Sequence, residues 1–159
     1  NPSEKIVVPD YPTIAILEDM DNLDGYVMFD MYDVKLSAGN GAHATWIARK
    51  DEPLAFREAW TRKRGFKPEQ VKGLYVRGDS MEPFLKDWDT VLIDTSDIDI
   101  VSGEIYAVNY KNNLFIKEAR MQPDGLQLIS YNPKYDPIKV TEEDAERFQV
   151  LGRMVWRGG

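Results

Sequence analysis

The stretch LYVRGDSMEPFL, Leu74 to Leu85, is where the chain's pattern becomes legible. Leu74–Val76 predicts a strand, Gly78 ends it, and Met81–Leu85 predicts a short helical turn. A serine at a strand-to-helix junction has backbone N–H groups free beside it. Those groups could hold an oxyanion, or Ser80 could cap a helix begun by Glu82–Pro83. The two readings share one geometry. The stretch also spells Arg77-Gly78-Asp79-Ser80, a cell-adhesion tetrapeptide. That use needs an exposed loop tip on a secreted protein, and no basic-then-apolar leader supports it.

From Gly73 onward the chain alternates short apolar runs with turn residues. Leu74–Val76, Thr90–Asp94, Glu104–Tyr110, Leu114–Arg120, Leu126–Ser130, Ile138–Val140 and Arg147–Trp156 each predict a strand. The second and third of the longer runs flank KNN and read as a hairpin. Nine Pro and eleven Gly suit such a loop-rich β body. The last run, FQVLGRMVW, is either an edge available for pairing or an ordinary core strand. One helix is predicted at Asp51–Gly65, with Asp51 as cap, Pro53 in the first turn and Gly65 as stop. Phe56, Ala59 and Trp60 would form its apolar stripe.

The first residues read differently. Six acids and no base fall between Glu18 and Asp33, interleaved with apolar residues. Residues 1–25 read as a linker, and Tyr26–Leu36 alternates like a strand. Ser37–Ala44, SAGNGAHA, is small, Gly-rich and loop-like. The chain begins at Asn1 without Met, so a longer parent is expected. With 159 residues and 43% hydrophobic content it can bury a core. It has no Cys, which removes disulfides and thiolate chemistry. No apolar run approaches the roughly 20 residues of a membrane span, so a cytoplasmic protein without a membrane partner is expected. The net charge of −7 disfavours phosphate backbones. The cluster Arg57, Arg62, Lys63, Arg64 and Lys67 reads as a solvated helix face.

The usual catalytic partners are scarce. His43 is the one histidine, and it sits in the Gly-rich loop with nothing to orient it. The acids show no metal-ligating spacing, so neither a metal nor a cofactor is expected. A serine can instead use a lysine base, provided the amine is neutral. Free lysine titrates near 10.4, and burial lowers that value. Lys117, in NLFIKEA, follows Leu114, Phe115 and Ile116 and shares a strand face with Phe115 and Ala119. Periodicity equally allows it to snorkel out at the sheet edge.

VRGDSMEPFLKDWDTVLID, SGEIYAV, LFIKEA, LISYNPKYDPI and VLGRMVW together resemble the C-terminal domain of LexA-like and phage CI-like repressors, which cleave themselves. The likeness runs from about Tyr32 to Trp156. Its most specific parts are the G-D-S-M-x-P box and the apolar strand ending in lysine. It implies a mainly β, LexA-like peptidase fold of short, strongly bent antiparallel strands with one short helix. It implies Ser80 as nucleophile, Lys117 as general base, and the backbone amides of Asp79 and Ser80 as oxyanion donors. Ala38-Gly39, inside LSAGNG, matches the family's scissile bond. Two positions depart from the family pattern. Asp87-Trp88-Asp89 stands where D-G-D is usual, and Glu118 follows the lysine where a second basic residue is common.

The resemblance further implies residues 1–31 as an interdomain linker or arm. Residues 32–159 would be a self-cleaving and dimerising domain, with a cleavage loop at 37–44. It implies a homodimer, a trigger in the form of a RecA filament on single-stranded DNA, and operator DNA bound through an N-terminal domain outside this chain. The alternative within the same chemistry is a UmuD-like polymerase accessory protein, whose cut trims a short arm.

Overall fold

A computed structural model describes residues 25–37 and 42–159. Residues 1–24 of the expected linker or arm, 1–31, and the Ala38–Gly39 bond lie outside these described residues. Nine strands form one mostly antiparallel sheet: β1 (Tyr26–Ser37), β2 (His43–Arg57), β3 (Val71–Tyr75), β4 (Thr90–Asp94), β5 (Ile105–Tyr110), β6 (Asn113–Gln122), β7 (Gly125–Ile129), β8 (Ile138–Val140) and β9 (Phe148–Gly158). Their order is β2-β1-β3-β4-β9-β5-β6-β7-β8. Among the described residues only β1 and β3 run parallel. The expected mainly β fold with one short helix is what forms. No helix among the described residues is long and apolar enough to cross a membrane.

Most strand expectations match within two or three residues, and β4 matches at both ends. The KNN turn closes through Lys111 and Asn112, both at positive φ, between the paired residues Tyr110 and Asn113. That is the backbone a two-residue hairpin requires.

The helix prediction needs correction. Residues Asp51–Arg57 belong to β2, and the helix α1 spans Glu58–Arg64 alone. β2 is an edge strand whose register breaks opposite Asp30, between the pairs Phe29↔Leu54 and Met31↔Arg49. Pro53 falls in that irregularity, where its missing N–H costs no ladder bond. The cap-like Asp51 and Pro53 therefore mark a bulge. Gly65 does stop α1, in the left-handed region at φ 77°, with its N–H donating to Thr61 O and Arg62 O. Phe56 and Trp60 do pack together, with ring centroids 5.2 Å apart, but across the strand–helix junction; Ala59 is exposed.

β9 is an interior strand. β4 and β5 occupy its two sides, so the edge reading of FQVLGRMVW falls and the core reading holds. The edges of the sheet are β2 and β8.

Three apolar clusters hold the sheet. Phe29, Phe56, Trp60, Val71, Leu92 and Val155 form one at the α1 end. Tyr106, Val108, Ala119 and Leu128 centre a second. The third joins Leu74, Val76, Met81, Leu85, Ile93 and Ile116, and the β1–β2 hairpin lies on it through Tyr32, Val34, Ala44 and Trp46. The Lys72 ammonium, 4.3 Å from the Tyr32 ring centroid, adds a cation–π contact to that seat.

Gly152 sits where β9 is squeezed between its neighbours. A Cβ there would overlap Asp94 O and Ile93 Cγ2. Relief would need β4 to shift as backbone, not as a flexible side chain. Gly152→Ala is therefore expected to lower stability by about 1–3 kcal/mol, measured by urea denaturation; an unchanged midpoint would contradict this packing.

Candidate active site

Ser80 lies in the turn that follows β3. Gly78 enters it at φ 86°, a left-handed value that favours glycine. Its N–H donates to Asp87 Oδ1 at 2.8 Å, and Arg77 Nε donates to the same oxygen at 3.0 Å. Met81 and Leu85 are buried on either side of a bond from Leu85 N–H to Met81 O, which nails the turn to the core. The expected helical stretch Met81–Leu85 is thus one turn that does not continue as a helix.

The departure at Trp88 is accommodated locally. Trp88 adopts φ 69°, where glycine would be easiest. Its ring takes the Arg77 guanidinium at 3.9 Å from the centroid and meets Tyr75 edge-on at 5.6 Å. These contacts offset the backbone cost.

Lys117 comes from the middle of β6, opposite Tyr106 of β5. Strand alternation places it with Phe115 and Ala119, and its Nζ stands 5.5 Å from the Phe115 ring centroid. It is 3% exposed, so it does not snorkel to solvent. The next residue, Glu118, points to the opposite face, where its carboxylate accepts from Tyr131 Oη at 2.7 Å and pairs with Arg120. That second departure from the family pattern leaves Lys117 without the carboxylate adjacent in sequence. Burial alone pushes the Lys117 amine down to about 8. Burial and the Glu118 bond push the Tyr131 phenol up to about 12.

Ser80 and Lys117, 37 positions apart, meet: Lys117 Nζ is hydrogen-bonded to Ser80 Oγ. They line a cleft of about 420 Å³ with Val76, Phe115, Ile116 and Ile138 among its walls. Arg77, Gly78 and Asp79 edge the same cleft. The Arg77 side chain is engaged by Asp87, and the Asp79 carboxylate accepts from Tyr135 Oη and Lys134 Nζ. Both charged ends of the adhesion-like tripeptide are therefore occupied within the molecule. His43 begins β2, exposed, and contributes nothing to the cleft walls. Among the described residues no group of three or more His, Asp or Glu side chains is placed to hold a metal ion.

Sequence reasoning passed over Asn132. Its Nδ2 donates to Asp79 O at 3.0 Å, and its backbone N–H donates to Ser80 O at 2.9 Å. The Asn-Pro pair signalled only a turn; nothing local announced a partner 53 residues away.

The buried amine has a thermodynamic consequence. Its value falls from 10.5 when unfolded to about 8 when folded, so the folded state binds fewer protons between those limits. Below about pH 8 the full cost of burying the ammonium is present. It fades as pH rises toward 10.5, and stability rises with it. Lys117→Met is expected to stabilise the fold by about 1–3 kcal/mol at pH 7, with the advantage shrinking between pH 8 and 10.5. Denaturation at a series of pH values reads this directly; an equal difference at all pH values would contradict it.

Comparison with known proteins agrees with the architecture. Residues 30–155 match the Peptidase S24-like family. The chain is 31% identical over 137 residues to an uncharacterized HTH-type transcriptional regulator of Haemophilus influenzae, covering 85% of this chain and 57% of that protein. It is 30% identical over 135 residues to the 26 kDa repressor protein of Escherichia phage HK022, covering 83% and 57%. With the HTH-type transcriptional regulator PrtR of Pseudomonas aeruginosa it shares 32% over 128 residues, covering 78% and 50%. The chain spans half of these relatives' length or a little more. A match over most of its residues, on a β-sheet that seats a serine against a buried lysine, places this chain in the Peptidase S24-like family.

Proposed function

We propose that this chain is the C-terminal part of a phage- or prophage-type transcriptional repressor that inactivates itself by cutting its own Ala38–Gly39 bond. The observation that carries the reading is the bond between Ser80 Oγ and the amine of a lysine buried without a counter-ion. The family match and relatives described as a repressor and transcriptional regulators support it. They favour it over the polymerase-accessory alternative, which would use the same two residues.

The chemistry follows from the site. Neutral Lys117 accepts the Ser80 hydroxyl proton as Oγ attacks the Ala38 carbonyl carbon. The N–H groups of Asp79 and Ser80 hold the oxyanion. The C–N bond then breaks, the proton passes from Lys117 to the Gly39 amine, and Ala38 is left as an ester on Ser80. Water, deprotonated by the same lysine, hydrolyses that ester. The strands that flank the proposed bond in sequence, β1 and β2, pack through Tyr32, Val34, Ala44 and Trp46 on the cluster that holds Met81 and Leu85 of the Ser80 turn. Small residues at the bond allow entry to a narrow cleft. The cut happens once per molecule, which makes it a switch. In this reading an N-terminal domain binds operator DNA, this domain holds a homodimer, and the residues before β1 link the two. A RecA filament on single-stranded DNA promotes the cut.

The rate of self-cleavage should track the neutral fraction of Lys117. At pH 7 that fraction is about a tenth, given a value of about 8, so the rate should climb nearly tenfold per pH unit below pH 7, gain about tenfold in all above it, and level off above about pH 9. Intact-mass measurements across pH should show fragments ending at Ala38 and starting at Gly39, accelerated by RecA, nucleotide and single-stranded DNA. Ser80→Ala and Lys117→Ala should remain whole. Cleavage of Ser80→Ala at the wild-type rate, or an intact wild-type chain under every condition, would overturn the reading.

A further inference from the structure

We infer that Asn132 is a positioning residue that fixes the direction of the Ser80 nucleophile and of its backbone N–H. The inference rests on Ser80 being the nucleophile, as proposed above. A serine on a turn can swing its Oγ by rotating the peptide planes on either side of its Cα. Both planes here are tied to Asn132. Its Nδ2 donates to Asp79 O at 3.0 Å, which fixes the Asp79–Ser80 plane. Its backbone N–H donates to Ser80 O at 2.9 Å, which fixes the Ser80–Met81 plane. A trans peptide is flat, with its C=O and N–H pointing in opposite directions. Holding Asp79 O therefore also aims the Ser80 N–H, an oxyanion donor in the proposed reaction.

Asn132 is itself held. Its Oδ1 accepts the Lys134 N–H at 3.0 Å, and its backbone O accepts the Tyr135 N–H at 3.1 Å. An Asx-type turn of this kind leaves the amide one orientation, with Nδ2 toward Asp79. The same turn carries Lys134 and Tyr135 to the Asp79 carboxylate. Just before it, Tyr131 reaches Glu118, the neighbour of Lys117. Residues 131–135 thus connect the segment bearing the serine to the strand bearing the lysine. No bond joins Asn132 to Lys117 itself, so its effect should fall on geometry and leave the amine's titration alone.

Asn132→Asp separates the roles. It keeps Oδ1 for the Asx turn, keeps the backbone N–H, and replaces the Nδ2 donor with an acceptor facing Asp79 O. Asn132→Ala removes both side-chain bonds, and Lys134→Ala removes only an exposed ion pair. Two readouts are taken on the full chain: self-cleavage, and phosphonylation of Ser80 by a fluorophosphonate. The second forms an Oγ–P bond, releases fluoride and passes the hydroxyl proton to Lys117. It does not need the Ala38–Gly39 bond, so a failed cleavage reading shows as labelling without a cut in the wild type. Asn132→Asp and Asn132→Ala should lose about ten- to a hundredfold in both rates, with the pH midpoint of the uncharged Asn132→Ala still near 8. Lys134→Ala should stay within about twofold. Thermal unfolding of the Asp variant should stay near wild type, which separates positioning from general loosening. Labelling of both Asn132 variants within twofold of wild type, an Asn132→Ala midpoint moved toward 10.5, or a wild-type Ser80 that does not react would overturn the inference.

Discussion

An ammonium group held out of water without a counter-ion gives up its proton more readily, and the structure puts Lys117 in that position. The side chain is nearly inaccessible, set against Phe115 and backed by the β5 strand. The nearest carboxylate in sequence is turned to the other face and engaged there. Burial then lowers the amine's affinity for a proton by an amount that a surface lysine never experiences. Everything else about the site can be read as support for this one unfavourable placement. The cost is tolerated because three apolar clusters stabilise the sheet around it.

The partner group arrives by an unrelated route. Ser80 sits on a turn whose ends are fixed by buried Met81 and Leu85 on one side and by the Gly78–Asp87 bond on the other. Neither feature alone sets the direction of the hydroxyl. Contacts from Asn132 complete the constraint. Three chain segments, distant in sequence, thus converge on two atoms. The arrangement is rigid because each segment is anchored in its own cluster or bond network.

Much of this was legible from local pattern. The strands after Gly73 show the two-residue period or compact apolar runs between turn residues, and the KNN hairpin reports its own backbone angles. Lys117 was legible because a lone charge in an apolar run is informative, although periodicity could not say whether it was buried or snorkelled. Ser80 stood out through the strand and glycine before it. The misreadings have physical causes. Asp51 and Pro53 resemble the start of a helix, yet they form a bulge in an edge strand, and local pattern does not distinguish the two. The last strand is apolar on both faces, which suits an interior position as well as an edge; only pairing on both sides decided it. Asn132 was invisible because its meaning lies in hydrogen bonds across 53 residues, and no periodicity encodes those.

The central claim is that burial lowers the Lys117 amine to about 8, so that an appreciable neutral fraction exists near physiological pH while it holds Ser80. The most direct measurement is an NMR pH titration of the full chain with isotopically labelled lysine side chains, run on Ser80→Ala to keep the chain whole, with Lys117→Met used to assign the signal. The account predicts one lysine titrating near pH 8, absent from the Lys117→Met sample, while the exposed lysines titrate near 10.5. A Lys117 signal titrating with the others near 10.5 would contradict it.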